Sequence, residues 1–468
     1  MTKLIQNIFC GSIASFIMVF SSCEKTVQID PPLNEITTSV VFSSNQLATN
    51  AMAGVYTSLS TATSQNTLLP VYSSLQADDL LYNGVNSTYQ EVFDNAYSSV
   101  SSIQSTIFSE WYAIIYRANS VIDGLQQYSG TTDLVKRQLT AEAKVIRAYC
   151  YFNLVNAFGG VPLVLTTDVG VSALLPKETA ANVYVQIVKD LTEAKAVLPV
   201  DYSASSNTRL GVNKFVAAAL LAKTSLFTGD FNAAESNASE VIASSLYTLI
   251  PSANIATGVW TKNNAESIWQ MSSPLAVTNQ YTVEAGTFLP FTGTDPQFEI
   301  RPAFLSLFSA TDLRRQRWMT NYNVAGAVKV LPYKYKYTTN ALAVAAGVAE
   351  SQTVLRLSEQ YLIRAEARTR MGTNLSGALS DLNTIRARAQ TALSNTTQQA
   401  ALLGEIILES RKEFFCEQGH RWYNLKRTGQ ADAVIGALKP SYRPNAKLLP
   451  FPNSALDANP NLIQNLGY

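Results

Sequence analysis

Two stretches of this chain repeat one another about a glycine. Leu220 to Ala234 reads LLAKTSLFTGDFNAA, and Leu362 to Ala378 reads LIRAEARTRMGTNLSGA. With Gly229 set on Gly372, Ala222 matches Ala365 seven residues upstream, and Ala234 and Ala378 follow with an offset of one. Such a unit predicts two antiparallel helices: the small residues let them approach, the glycine turns the chain, and Asp230 is placed to cap the second helix of the first copy. A lone pair cannot bury its apolar side, so several must stack. Thr179 to Val197 and the helices before Gly159 supply further members.

This is the tetratricopeptide pattern, and the rest of the chain fits a mainly α fold around it. Asn45 to Leu59 carries Leu47, Met52, Val55, Tyr56 and Leu59 at near-helical spacing, and Ile103 to Gln126 is strongly helical. Leu134 to Phe158 is also helical and is stopped by Gly159-Gly160 and Pro162. Between them lies Thr61 to Ser102, a polar run rich in Ser, Thr and Asn with scattered aromatics, too long for a mere connector. From Tyr247 to Leu355 the pattern turns partly to strands, at Glu266 to Met271 and Val328 to Tyr337. Helices return over Leu355 to Arg388 and Ala401 to Glu417, and the tail after Gly429 reads as irregular. The expected organisation is a helical repeat over 45–246 and 355–430, with a variable, partly β or loop insertion over 247–354.

The first residues read as a leader. Lys3 precedes an apolar stretch, Ile8 to Phe20, that is shorter than the roughly 20 residues of a membrane-spanning helix. It ends Phe20-Ser21-Ser22-Cys23, which is similar to a lipobox with Phe20 in place of the usual Leu. Residues 1–22 are therefore expected to be a lipoprotein signal peptide, Cys23 the lipidated residue, 23–35 a tether containing Pro31-Pro32, and 36–468 the folded domain. Acyl chains contribute about 0.8 kcal/mol per buried methylene, enough to hold a domain at a membrane without a spanning helix.

Lys plus Arg number 35 and Asp plus Glu 34, and loss of Lys3 with the leader removes the excess. No basic run offers a footprint for nucleic acid. Cys150 and Cys416 lie far apart on helical segments and read as buried free thiols.

Several blocks in series resemble the SusD/RagB family of outer-membrane nutrient-binding lipoproteins. They begin with Cys23, Pro31-Pro32 and Gly54-Val55-Tyr56. Trp111, Tyr112, Tyr116 and Asn119 follow, then Glu142, Arg147, Ala148, Tyr149 and Phe152 with Phe158 to Pro162. Later come Glu359, Leu362, Ala365 to Ala367, Gly372, Ala378, Leu382-Asn383, Ile385, Arg386 and Arg388. Arg411, Glu413, Gly419 to Trp422 and Leu425 to Arg427 match a further signature, and Leu449 to Pro452, Asn459 to Asn461 and Gln464 to Tyr468 the ending. Asn424 and Leu466 depart from the family's usual Asp and Pro. The resemblance implies a SusD-like helical repeat that binds oligosaccharide at the cell surface and delivers it to a SusC-like, TonB-dependent outer-membrane transporter, facing outside. A peptide-binding lid and a scaffold without small ligand are the alternatives.

Paired charges in these blocks, such as Arg411 with Glu413 and Arg421 with Glu417, are expected to tie helices and loops together. His420 is the only histidine, and with the cysteines dispersed it offers no metal site. Asp78-Asp79 is the one adjacent carboxylate pair that suggests glycosidase chemistry, but sequence neighbours point apart. No catalytic residue and no cofactor are expected. A sugar site needs aromatic faces and amide, carboxylate or guanidinium partners. Trp111, Trp269 and Trp422 read as core. The resemblance places the ligand face between the early polar aromatic segment and the insertion, with Tyr82, Asn83, Asn86, Tyr89, Phe93, Tyr97, Trp260, Tyr281 and Trp318 as candidates. For each of them packing in core or loop is the competing reading.

Overall fold

The computed structural model describes residues 38–271, 280–291 and 293–468, so Cys23 and the tether lie outside the described residues. Helix α1 (Asn45–Thr61) opens with Ser44 accepting from the backbone N–H of Leu47. After it come α2 (Leu69–Gln76), strand β1 (Leu80–Tyr82) and α3 (Ser87–Asp94). Two long helices follow, α4 (Ser102–Gln127) and α5 (Asp133–Phe158), the second ended by Gly159 at φ +76°. Helix α6 (Ala180–Lys195) is capped by Thr179. Helix α7 (Lys214–Thr228) turns at Gly229 into α8 (Phe231–Ala243), whose cap is Asp230 accepting from Ala233. Strand β2 (Ser267–Met271), β3 (Phe298–Ile300), β4 (Met319–Val324), β5 (Ala327–Pro332) and β6 (Gln352–Arg356) are short. The chain then returns to helix as α9 (Leu357–Met371), α10 (Leu375–Ala389), α11 (Gln399–Glu413), α12 (His420–Arg427) and α13 (Ala431–Leu438).

Successive helices from α4 to α10 pack on one another in order, with α8 against α9 although the whole 247–354 stretch separates them in the chain. Small residues make this possible. Ala222, Ala234 and Ala238 meet Ile363 and Ala367, and Ala365 meets Ala378, all buried. Both repeat glycines take the left-handed conformation, Gly229 at φ +82° and Gly372 at +71°, which a residue with a Cβ adopts only under strain. The chain is thus mainly α, as the repeat dictates.

Three two-stranded antiparallel ladders complete it: β1 with β3, β2 with β6, and β4 with β5. The polar run after Thr61 is helical and largely buried over Ser64 to Gln76, because its polar groups are satisfied internally. Ser64 donates to Glu110 at 2.6 Å, and Gln65 accepts from Tyr149 at 2.6 Å and donates to Gln418 at 3.0 Å. The tail after Gly429 is not wholly irregular, since it forms α13.

Beneath the strands lies a buried ionic cluster. Arg356 donates to both carboxyl oxygens of Glu417, at 3.0 and 2.9 Å, and pairs with Glu266 and Glu413. Arg388 pairs with the same Glu266 and Glu413, Arg314 pairs with Asp312, Glu409 and Glu413, and Lys334 joins Glu417. Arg411 and Arg421 do not take the partners expected of them. Arg411 and Glu413 are two apart on a helix and face different ways. Between Glu417 and Arg421 the backbone breaks, with Gln418 and Gly419 at positive φ. Both arginines reach Asp78 instead, and Arg411 reaches Asp79 as well.

The candidate ligand-facing surface

The early segment and the insertion meet at one ladder. Leu80 pairs with Ile300, Leu81 with Glu299 and Tyr82 with Phe298, and the N–H of Asn83 extends the pairing to the carbonyl of Gln297 at 2.8 Å. Strand alternation turns Leu80 and Tyr82 inward and Asn83 outward, where its amide donates to Glu299 at 3.2 Å. Inside, the rings of Tyr82, Tyr89, Phe298 and Phe288 lie edge-on or tilted with centroids 5.6 to 5.9 Å apart. Gly84 runs so close over Tyr82 that an added Cβ would fall 2.4 Å from its hydroxyl. That hydroxyl accepts from the N–H of Asn86 at 2.7 Å, and Asn86 caps α3 through Thr88 and Tyr89.

The nine residues singled out from sequence therefore separate by what their side chains do. Trp260 and Trp318, expected among the ligand-facing candidates, lie instead in the core: both are fully buried, 5.2 Å apart, and the Trp318 indole N–H donates to the carbonyl of Ile255. Their faces cover Lys334 at 5.3 and 5.1 Å, so cation–π contact with the ionic cluster, not ligand stacking, is their use. Phe93 lies against the cations of Arg301 and Lys439, and the Tyr97 hydroxyl accepts from Gln76 and Asn95. Tyr82 and Tyr89 belong to the ring cluster, Tyr82 being nearly buried and Tyr89 half-buried. Tyr281 is half-buried beside Gln280, whose N–H is held by Asn340. Asn83 and Asn86 are exposed.

The solvent-facing aromatic of this surface is Phe291, 86% exposed, in the turn that leads into β3. Tyr322 of β4 staples that turn: its hydroxyl accepts from the N–H of Gly293 at 3.1 Å and faces the carbonyls of Phe291 and Thr294. Val85 is fully exposed on the facing loop. Phe291 was available in the sequence, since an aromatic between Pro290 and Gly293, in a run ending Asp295-Pro296, marks a ring on a loop tip.

Residues that suggested catalysis are otherwise engaged. Arg421 grips both oxygens of Asp78, at 2.7 and 2.9 Å, and Arg411 bonds Asp79 at 2.9 Å. Burial alone would raise Asp78, yet Arg421 and Arg411 carry its carboxyl below the ordinary range. Asp79 is wholly buried. His420 is stacked on Phe414 at 4.5 Å, and burial with Lys223 and Arg427 nearby holds it neutral. Among the described residues no His, Cys, Asp and Glu group is placed to hold a metal, and no helix is long and apolar enough to cross a membrane.

The fold is that of a mainly helical repeat with short strand ladders, and the chain belongs to the SusD/RagB family. A SusD-like family model described as starch-binding and associating with the outer membrane matches residues 30–226, and the SusD family model matches 308–468. Among relatives, SusD-like protein P38 of Formosa agariphila is 23% identical over 96% of both chains, and SusD-like protein P2 of the same organism 26% identical over 89% of this chain and 91% of its own. A SusD superfamily structure from Parabacteroides distasonis superposes with TM-score 0.78 at 22% identity, covering 93% of this chain and all of its own. A laminarin-binding SusD-like protein does so with TM-score 0.76 at 22% identity, over 91% of this chain and all of its own. Surface glycan-binding protein A from Bacteroides fluxus superposes with TM-score 0.73 at 20% identity, over 90% of this chain and 99% of its own.

Proposed function

We propose that this protein is a non-catalytic, cell-surface glycan-binding lipoprotein, anchored in the outer membrane through Cys23, that delivers oligosaccharide to a SusC-like, TonB-dependent transporter. The observation that carries the reading is the β1–β3 ladder. It sets the Asn83 amide against the Glu299 carboxylate on its outer side, beside the turn that presents Phe291. A ring face covers the CH patch of a sugar, and an amide with a carboxylate bonds its hydroxyls. The laminarin-binding and surface glycan-binding proteins that share the fold support carbohydrate over other ligands.

Isothermal titration of the soluble domain against glycan and peptide panels tests it. Binding to a glycan is expected, with Phe291→Ala and Asn83→Ala each weakening it by about tenfold or more at unchanged thermal stability. Tight peptide binding without any sugar response would sink the reading, and release of product from any glycan would overturn the absence of catalysis. Mass spectrometry of the mature protein should find lipid on Cys23.

A further inference from the structure

A cavity lies away from the ladder that joins β1 and β3. It measures about 420 Å³ and is walled by α1, α5, the 204–212 loop and the end of β2. Its apolar lining includes Met52, Leu139, Val212 and Trp269, and its mouth passes exposed Ala53 and Thr57. The volume falls within the range of about 300 to 1,000 Å³ typical of small-molecule sites.

Its polar floor is Glu142, 7% exposed. The Tyr56 hydroxyl donates to one carboxyl oxygen at 2.8 Å, and the Gln138 amide donates to the other at 3.0 Å. The Tyr56 oxygen also accepts from the N–H of Val212 at 3.2 Å. Both oxygens thus face donors, an arrangement that suits a carboxylate and offsets part of the burial that pushes the Glu142 carboxyl above its ordinary range. Yet no Lys, Arg or His lines the cavity, and Glu142 makes no ion pair among the described residues. A buried carboxylate without a cation is costly, and a counter-ion entering the cavity offsets that cost.

We infer that this cavity binds a small organic cation, an ammonium head that pairs with Glu142 on an apolar body that fills the space against Met52, Leu139 and Trp269. The site is distinct from the proposed glycan face and independent of it.

Titration of the soluble domain with phenethylammonium, with 2-phenylethanol as the neutral isostere, tests the inference. The ammonium should bind about tenfold or more tightly than the alcohol, and Glu142→Gln should erase that preference while the alcohol still binds. Ala53→Trp, which narrows the mouth without touching the carboxyl, should weaken both ligands and leave glycan binding and thermal stability as in the parent. An N-acetyl-lysine methylamide arm separates sources: its binding in preference to phenethylammonium assigns the cation to a protein side chain, the reverse to a free amine, and either supports the site. Equal binding of ammonium and alcohol, no ammonium binding at millimolar concentration, or an unaltered preference in folded Glu142→Gln would overturn it.

Discussion

Glu284 is 3% exposed, and its Oε2 finds no hydrogen-bond partner among the described residues. Burial pushes its carboxyl up to about 8, and Glu417 and Glu350 nearby add to the rise. An acid whose folded pKa is raised binds its proton more tightly folded than unfolded, so stability falls as pH climbs from the unfolded value near 4.5 to about 8. Replacing it by the neutral isostere removes that loss. Glu284→Gln should therefore flatten the decline of thermal stability across this window by about 1 kcal/mol per pH unit and leave the variant more stable than the parent at pH 8. Equal slopes in melts at stepped pH would refute it. At the same scale, Trp260 and Trp318 show how a residue type misleads: tryptophan suits a sugar face and a buried cation equally, and here Lys334 and Arg356 claim both rings.

At the scale of elements, caps and turns carry the helix pairs. Asp230 accepts from Ala233 at 3.0 Å, and Asn374 accepts from Gly377 at 2.9 Å in the second copy. Asp230→Ala should cost about 1 kcal/mol in urea unfolding. Gly372→Val should cost about 1 to 2 kcal/mol or more, because φ stays at +71° for a β-branched residue. A Gly372→Asn control should lose less, since asparagine tolerates the left-handed region. The helix pairs were legible because glycine, caps and small residues act within a few positions of one another. The helical stretch after Thr61 was not, since Ser64 and Gln65 become internal only when Glu110, Tyr149 and Gln418 arrive from distant segments.

For the whole molecule, the ionic cluster joins the strands to the late helices. Glu413 lies between Arg314, Arg356 and Arg388. Burial opposes its charge, but Arg388, Arg356 and Arg314 hold its carboxyl well below the usual range. A depressed folded pKa means its contribution is present above the unfolded value and lost as acid brings the pH down through the folded one. Glu413→Gln takes an anion from three buried guanidinium groups and should destabilise the protein by about 3 to 5 kcal/mol at neutral pH, read as a lowered urea midpoint. A change under about 1 kcal/mol would show that the remaining carboxylates compensate.

The sequence by itself determined the helical repeat, its turns and caps, and the family, because helix periodicity, a glycine at positive φ and a capping acid are local requirements written in consecutive residues. Only the tertiary structure decided which aromatic rings meet solvent and which arginine meets which acid. Exposure and ion pairing depend on residues far apart in the chain: Phe291 is left outside where Tyr322 holds its turn, Trp318 is enclosed where Lys334 and Arg356 need cover, and Arg421 reaches Asp78 across most of the sequence.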